Sequence, residues 1–497
     1  MGFIQAVHFL GYMASKKNEN SPLADIINFL QLPYPLSSSG TGATYAIRVW
    51  LEAADPYSEV LEIKKVSCID RIEYKAIGNT EIDIKERCLY REPVGSNVSW
   101  RFSPLYKLGK GSKEPKKELV SAGDWRNDKK CRYYKLQHNL LKDYEIVGSF
   151  TKDSTNKIME DLEAQVDNIA EIWSDRKRSY FIIFGLKEKD RFLYPGQIPA
   201  FVNYFRKKLN LSSNKPSNKV NTYCALCGNK GKKLETLDKV FKFATFDKPG
   251  FLPGIKDGIG IREKVFPVCQ DCYSIMCAGK EEMENRFVNF NAIPGILLYV
   301  IPEIITNREE FYPVITKFSE DFLAIGIRNE TNLFNRLAKY GEGLVYHFLF
   351  AEINQAQLII HSLIEDVPPT RLKQLEELWG KTCKVFNPDS ELSNSDRQKL
   401  DSGLKQIVAV LMSLAGKSEQ DKVVMKDKAI TVISALLNGE PVKTNEFKAL
   451  IVSRLPGLFA DPDWLNPKER DKMPGRLKIK GMAEVVDFLN RANREVQ

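Results

Sequence analysis

The sequence predicts an α+β protein: a β-rich N-terminal region, a four-cysteine zinc-binding insertion at about residues 220–280, and a C-terminal helical bundle. Three observations predict it. Apolar and polar residues alternate in short runs through the first 150 positions, two Cys-x-x-Cys pairs lie 41 residues apart, and helical periodicity dominates the last third. A chain of 497 residues exceeds what one hydrophobic core organises, so we expect an N-terminal α+β domain over 1–365 and a bundle over 366–497.

The front of the chain reads as strands at Tyr45–Leu51, Val60–Val66 and Ile82–Ile84, each bounded by polar turns. A helix then opens at Asp153 or Ser154 and carries Ile158, Leu162, Val166, Ile169 and Trp173 along one face. Tyr180–Phe184 is wholly apolar and suits a buried strand; Ile198–Leu209 is helical again, and Ile296–Ile301 is another core strand. Between the cysteine pairs, Phe241–Phe246 alternates like a strand. From Asn332 onward the pattern reads as helical without interruption, beginning with Leu344, Phe348, Ile353, Ile359, Ile360 and Leu363. After Pro368-Pro369 come helices around Leu372–Trp379, Leu400–Leu414, Val423–Leu437, Phe447–Leu455 and Met482–Leu489. Ser395-Asp-Arg-Gln398 is a capping box for the second of these, and Gly416 its stop.

The longest apolar stretch, Ile293–Ile305, falls short of the roughly 20 residues a membrane helix requires and contains Pro294 and Pro302. The first residues show neither a basic signal-peptide start nor a myristoylation motif, so a cytoplasmic location is expected.

Cys224-Ala-Leu-Cys227-Gly and Cys269-Gln-Asp-Cys272 carry the strongest chemical signal. Each pair can turn two thiolates toward one tetrahedral ion, and Gly228 permits the tight backbone turn. Cys277 stands close enough in sequence to replace a ligand, but the matched spacing favours the two pairs. Hydrolytic zinc keeps a position open for water; four sulfurs close it, so we expect structural Zn²⁺ and no catalysis. The four histidines (His8, His138, His347, His361) have apolar or uncharged neighbours and read as packed side chains. None begins a His-x-Glu deaminase motif or a His-Glu-x-x-His protease motif, and no Gly-x-x-x-x-Gly-Lys-Ser/Thr phosphate loop occurs.

Basic charge is concentrated. Residues 101–140 hold eleven Lys/Arg against four Asp/Glu, and residues 201–240 nine against two, whereas the whole chain is only +9, so the remainder is net acidic. Tyr106, Trp125, Tyr133 and Tyr134 interleave the first window. Such windows suit polyanions, because cations that neutralise phosphates release counterions.

Tyr223-Cys-Ala-Leu-Cys-Gly228, the Phe243-Ala-Thr-Phe-Asp-Lys-Pro-Gly-Phe251 segment, Phe266-Pro-Val-Cys-Gln-Asp-Cys272 and Ala278-Gly279 together resemble the large subunit of the type I-B CRISPR interference complex, Cascade. The resemblance spans about a tenth of the chain closely. It implies a non-enzymatic subunit at the crRNA 5′ end that reads the protospacer-adjacent motif in target double-stranded DNA, helps separate the strands and stabilises the R-loop. It also implies contact with repeated backbone and other Cascade subunits, docking of a helicase-nuclease, and a tail resembling a small subunit. Candidate phosphate contacts are Lys113, Lys116, Lys117, Lys129, Lys130 and Arg132, with Lys215, Lys219, Lys230, Lys232 and Lys233 near the knuckle. Asn214, Asn218 and Asn221 are the candidates for base edges, since amides bond adenine in pairs. Lys468, Arg470, Lys472, Arg476, Lys478 and Lys480 form a further possible track. The competing reading is a zinc-containing nucleic-acid-processing enzyme with an unrecognised carboxylate-metal site.

Overall fold

The computed structural model describes residues 2–17, 21–36, 43–93, 100–212, 223–230, 234–235, 237, 240–241, 265–305, 330–340, 343–354, 357–387, 396–416, 418–467 and 474–495. They fall into two compact units, one of residues 12–239 with 259–278, the other of residues 1–11, 240–258 and 279–497.

The first unit is built on a five-stranded sheet. Its strands are β1 (Thr44–Ala53), β2 (Ile63–Glu73), β3 (Leu105–Lys110), β4 (Ser179–Glu188) and β5 (Arg191–Leu193), in the order β2-β1-β4-β3 with β5 on β4. β4 is central because Tyr180 to Leu186 are all buried: an apolar run of that length has no solvent face and needs cover on both sides. It pairs parallel with β1 and antiparallel with β3. One face packs Ala46, Tyr74, Ile84, Cys88, Phe181, Ile183 and Tyr194 into a core. Helix Ser154–Ala164 lies against β2, and its Asp161 accepts the Val66 N–H at 2.6 Å.

Residues 82–84, expected as a strand, lie in helix Glu81–Cys88. Thr80 accepts the Asp83 N–H and Asp83 bonds back to the Thr80 N–H, a reciprocal cap that the short alternation concealed. The long helix expected from residue 153 is divided at Gln165 into Ser154–Ala164 and Val166–Ile172.

The second unit joins a four-stranded sheet to helices. Its strands are β8 (Val288–Asn289), β9 (Leu297–Ile304), β10 (Leu344–Asn354) and β11 (Gln357–Val367), in the order β11-β10-β9-β8. The hairpin β10–β11 overturns the expectation of uninterrupted helix from residue 332. Leu344 to Ala351 are buried in succession between β9 and β11, and a fully buried strand shows no period of two to set it apart from a buried helix.

Beyond it the helices form where the periodicity puts them: Pro369–Phe386, Leu400–Leu414, Glu419–Asn438, Thr444–Phe459 and Gly475–Arg494. Pro369 opens the first as its N1 residue, where a missing N–H costs nothing. Trp379 sits at the bundle centre, edge-on to Phe488, with its indole N–H on the Arg397 carbonyl at 2.8 Å. Gly403 makes room for it, since a Cβ there would stand 2.8 Å from the indole. Ser395 and residues 242–246 lie outside the described residues; the 400–414 helix begins at Leu400, beyond the expected cap, and ends at Leu414, just before Gly416.

Candidate metal centre and nucleic-acid interface

Two turns converge in the first unit. Tyr223 and Lys230 pair as an isolated antiparallel bridge, which folds Cys224 and Cys227 into the turn between them. The Cys224 N–H donates to the Asn229 carbonyl and the Gly228 N–H to the Cys224 carbonyl, each at 2.9 Å. Gly228 takes φ +71°, a left-handed conformation that a side chain resists. The second turn joins β7 (Val268–Cys269) to helix Gln270–Arg286, so Cys269 ends a strand and Cys272 lies in the helix's first turn. β6 (Leu234–Glu235) pairs with β7, Leu234 opposite Cys269. The Ala225 N–H reaches the Pro267 carbonyl at 2.8 Å and ties the turns together.

The four Sγ atoms all lie within 4.8 Å of one another. Cys227 and Cys269 are 3.8 Å apart at sulfur; tetrahedral zinc at a Zn–S distance of about 2.3 Å requires sulfurs about 3.8 Å apart. The donor set therefore fits a closed tetrahedral ion. Cys224 and Cys272 are buried, Cys269 is half-buried and Cys227 is exposed. Burial opposes ionisation of Cys224, yet the N–H groups of Cys227, Cys269 and Leu226 outweigh it and bring that thiol down to about 7. Cys269 and Cys272 are pushed up, chiefly by burial and further by the neighbouring thiols. A divalent cation removes the mutual repulsion of four thiolates, so its binding energy becomes folding energy for these turns. Cys277 stands apart from this group, close to the buried Arg91 guanidinium.

The basic windows resolve into paired and unpaired cations. Lys116 pairs with Asp167 at 2.7 Å, Lys117 with Glu114 at 3.1 Å, Arg132 with Glu118 at 3.8 Å and Arg126 with Glu163 at 2.7 Å. Lys113, Lys129 and Lys130 are exposed and have no ion-pair partner among the described residues. Trp125 and Tyr133 are buried against each other, edge to face at 5.9 Å, so these interleaved aromatics belong to the core. In the second window Arg206 pairs with Asp25, and Lys208 is buried with its ammonium on Asp143 at 2.5 Å. Lys230 is exposed on the knuckle; Asn214, Lys215, Asn218, Lys219, Asn221, Lys232 and Lys233 lie outside the described residues. In the tail, Lys478 bonds the Trp464 carbonyl and Lys480 the Asn387 side chain, Arg476 is exposed, and Lys468, Arg470 and Lys472 are outside the described residues.

Among the described residues, two groupings escaped the sequence. Glu303, His347 and Asp366 come together in the second unit, where His347 Nε2 meets the Glu303 carboxylate at 2.7 Å and the Asp366 N–H approaches Nδ1 at 3.4 Å. Both ring nitrogens are engaged, so this is a closed buried pair, and nothing in the spacing of residues 303 and 347 announces it. The other is Arg176-Lys-Arg178, set beside Lys110 and Lys113 at one end of the first sheet. Its signal was present, as a basic triplet directly before an apolar strand.

Residues 221–367 match the family model described as the CRISPR-associated protein TM1802 (cas_TM1802) central domain. The match contains all four cysteines and runs through β11. It supports a CRISPR-associated protein. No curated protein matches the chain.

Proposed function

We propose that this chain is the large subunit of a type I-B RNA-guided CRISPR interference complex, engaging crRNA and target duplex DNA without catalysing a reaction. The carrying observation is the four-sulfur centre, whose geometry suits one closed metal ion and which lies inside the segment similar to a CRISPR-associated central domain. A metal without an open position supplies no hydrolytic water, so its role here is to stiffen the knuckle bearing Lys230. Lys113, Lys129 and Lys130, which have no ion-pair partner among the described residues, supply sequence-independent phosphate attraction, and guide pairing reads the target. In this reading the asparagines near the knuckle read the protospacer-adjacent motif, and residues 366–497 act as a small-subunit-like bundle along the displaced or target strand. Repeated backbone subunits and a helicase-nuclease are the protein partners.

The test is purification of the tagged full chain from cells expressing it with its neighbouring genes. A short RNA and a repeated backbone subunit should co-purify, and the complex should leave labelled DNA, RNA and nucleoside triphosphates intact with Mg²⁺ or Mn²⁺. Recovery of the chain without RNA, or turnover of any of these substrates by the purified chain, would reject the proposal.

A further inference from the structure

We infer that one end of the first sheet is a binding site for a phosphodiester backbone, formed by Arg71 and Arg178 about the Tyr45 ring, with Lys110, Lys113, Arg176 and Lys177 along its rim. It rests on the reading that this chain meets nucleic acid, and adds to it a surface of which only Lys113 is among the candidate positions of the sequence. Strand register creates the site. Tyr45 lies opposite Glu73 on β2 and Tyr180 on β4, and Lys110 opposite Ser179, so the ends of four strands coincide. The Gly111 N–H bonds the Arg178 carbonyl and the Ser112 N–H the Trp173 carbonyl, each at 3.0 Å, which fixes the chain leading to Lys113 alongside the 173–178 turn.

The Arg178 guanidinium lies 4.9 Å from the Tyr45 ring centre and that of Arg71 5.5 Å, and Tyr45 itself stacks on Tyr180 at 6.0 Å. Each cation–π contact biases its guanidinium toward the Tyr45 ring before a ligand arrives. Part of the ordering cost is thereby met in advance, and a guanidinium offers two parallel N–H bonds to a phosphate.

Six cations gather here, and the carboxylates beside them among the described residues are already engaged, Glu114 near Lys113 by Lys117 and Glu118 by Arg132. Asp175 is taken by Arg178 at 2.8 Å, and Glu73 accepts the Tyr45 hydroxyl at 3.3 Å. Arg71, Lys110, Lys113, Arg176 and Lys177 have no ion-pair partner among the described residues, and all five are exposed. This differs from the segment that follows in the chain, where Lys116, Lys117, Arg126 and Arg132 each have a carboxylate. Uncompensated positive charge on Arg71, Lys110, Lys113, Arg176 and Lys177 beside a stacked aromatic ring matches a repeating phosphate.

The experiment titrates the full-length chain into labelled single-stranded RNA, single-stranded DNA and duplex DNA of one length, at several salt concentrations. The double variant Arg71→Gln/Arg178→Gln should flatten the log–log salt slope by at least the one contact of Arg71, about 0.7 on single strands and about 0.9 on duplex, weakening single-strand binding roughly fivefold or more at 0.1 M salt; Arg178 adds less than a full contact because it must first leave Asp175. Arg71→Lys/Arg178→Lys, which keeps the charge, should recover most of the slope. Arg126→Gln, which loses an already matched charge, should bind as wild type does. The probe with the largest loss identifies the backbone bound. If the glutamine variant binds all three probes as wild type does while Lys129→Gln/Lys130→Gln is weakened, the sheet-end site is wrong and the proposed function stands. If wild type binds none of them, both fail.

Discussion

Replacing Asp401 by asparagine should make the protein's stability less dependent on pH between 4 and 6. Asp401 is 1% exposed in the first turn of the 400–414 helix, and its carboxylate accepts the N–H groups of Phe334 and Asn335 at 2.9 Å each. It thus caps helix Leu333–Leu337 from another element. Burial dominates, and even against those two donors and nearby Lys405 it holds the carboxyl up to about 6. In an unfolded chain an aspartate titrates near roughly 3.9. Between these values the folded state binds more protons than the unfolded state, so this group's contribution is fully present below about pH 4 and is lost as pH rises through 6. A two-unit displacement corresponds to about 3 kcal/mol. The asparagine side chain cannot ionise, so the stability of wild type minus that of Asp401→Asn should fall by about that amount from pH 4 to pH 7.5. Urea unfolding of both proteins at half-unit steps of pH measures it. A difference that stays constant across the range, or grows with pH, would refute the reasoning.

In the assembled complex, neutralising Lys113, Lys129 and Lys130 together should reduce the salt slope for duplex DNA by about 2.7. Neutralising Lys116, Lys117 and Arg132 should reduce it less, because those cations must first leave their carboxylates; equal effects would contradict the distinction drawn from their ion pairs. Gly403→Ala should cost about 1–3 kcal/mol by forcing a methyl against Trp379, read as a lower Tm, while Gly123→Ala, which meets nothing within 4 Å, serves as the comparison. Cys272→Ser should open residues 223–230 and 265–272 to proteolysis, with the 369–494 helices retained in far-UV circular dichroism. Unchanged cleavage at the knuckles would mean that the turns hold without metal.

Elements with one solvated face were legible in the sequence. The helices near 372, 400, 423, 447 and 482 stand close to where their apolar stripes put them, and Tyr180–Phe184 was readable as a buried strand because flanking polar residues bounded it. The β10–β11 hairpin was not, since Leu344 to Ala351 are covered on both sides and keep no polar alternation, and Ile82–Ile84 mimicked a strand because three residues cannot separate the two periods. The cysteines were legible since each pair lies within one turn and matched spacing needs no tertiary knowledge. The sheet-end cluster was not, because Arg71, Lys110 and Arg178 come from three strand ends that only the register unites. Charge counting by window also overstated the second basic segment: Arg206 and Lys208 look like free cations in sequence, yet each closes onto an aspartate distant in the chain.

Elemental analysis of the purified full-length chain tests the central claim most directly, with Cys272→Ser beside it. One equivalent of zinc per wild-type chain, absent from the variant, is the expected result. A wild-type chain that is folded and free of metal after purification without chelator would contradict the four-sulfur clamp and the rigid knuckle built on it.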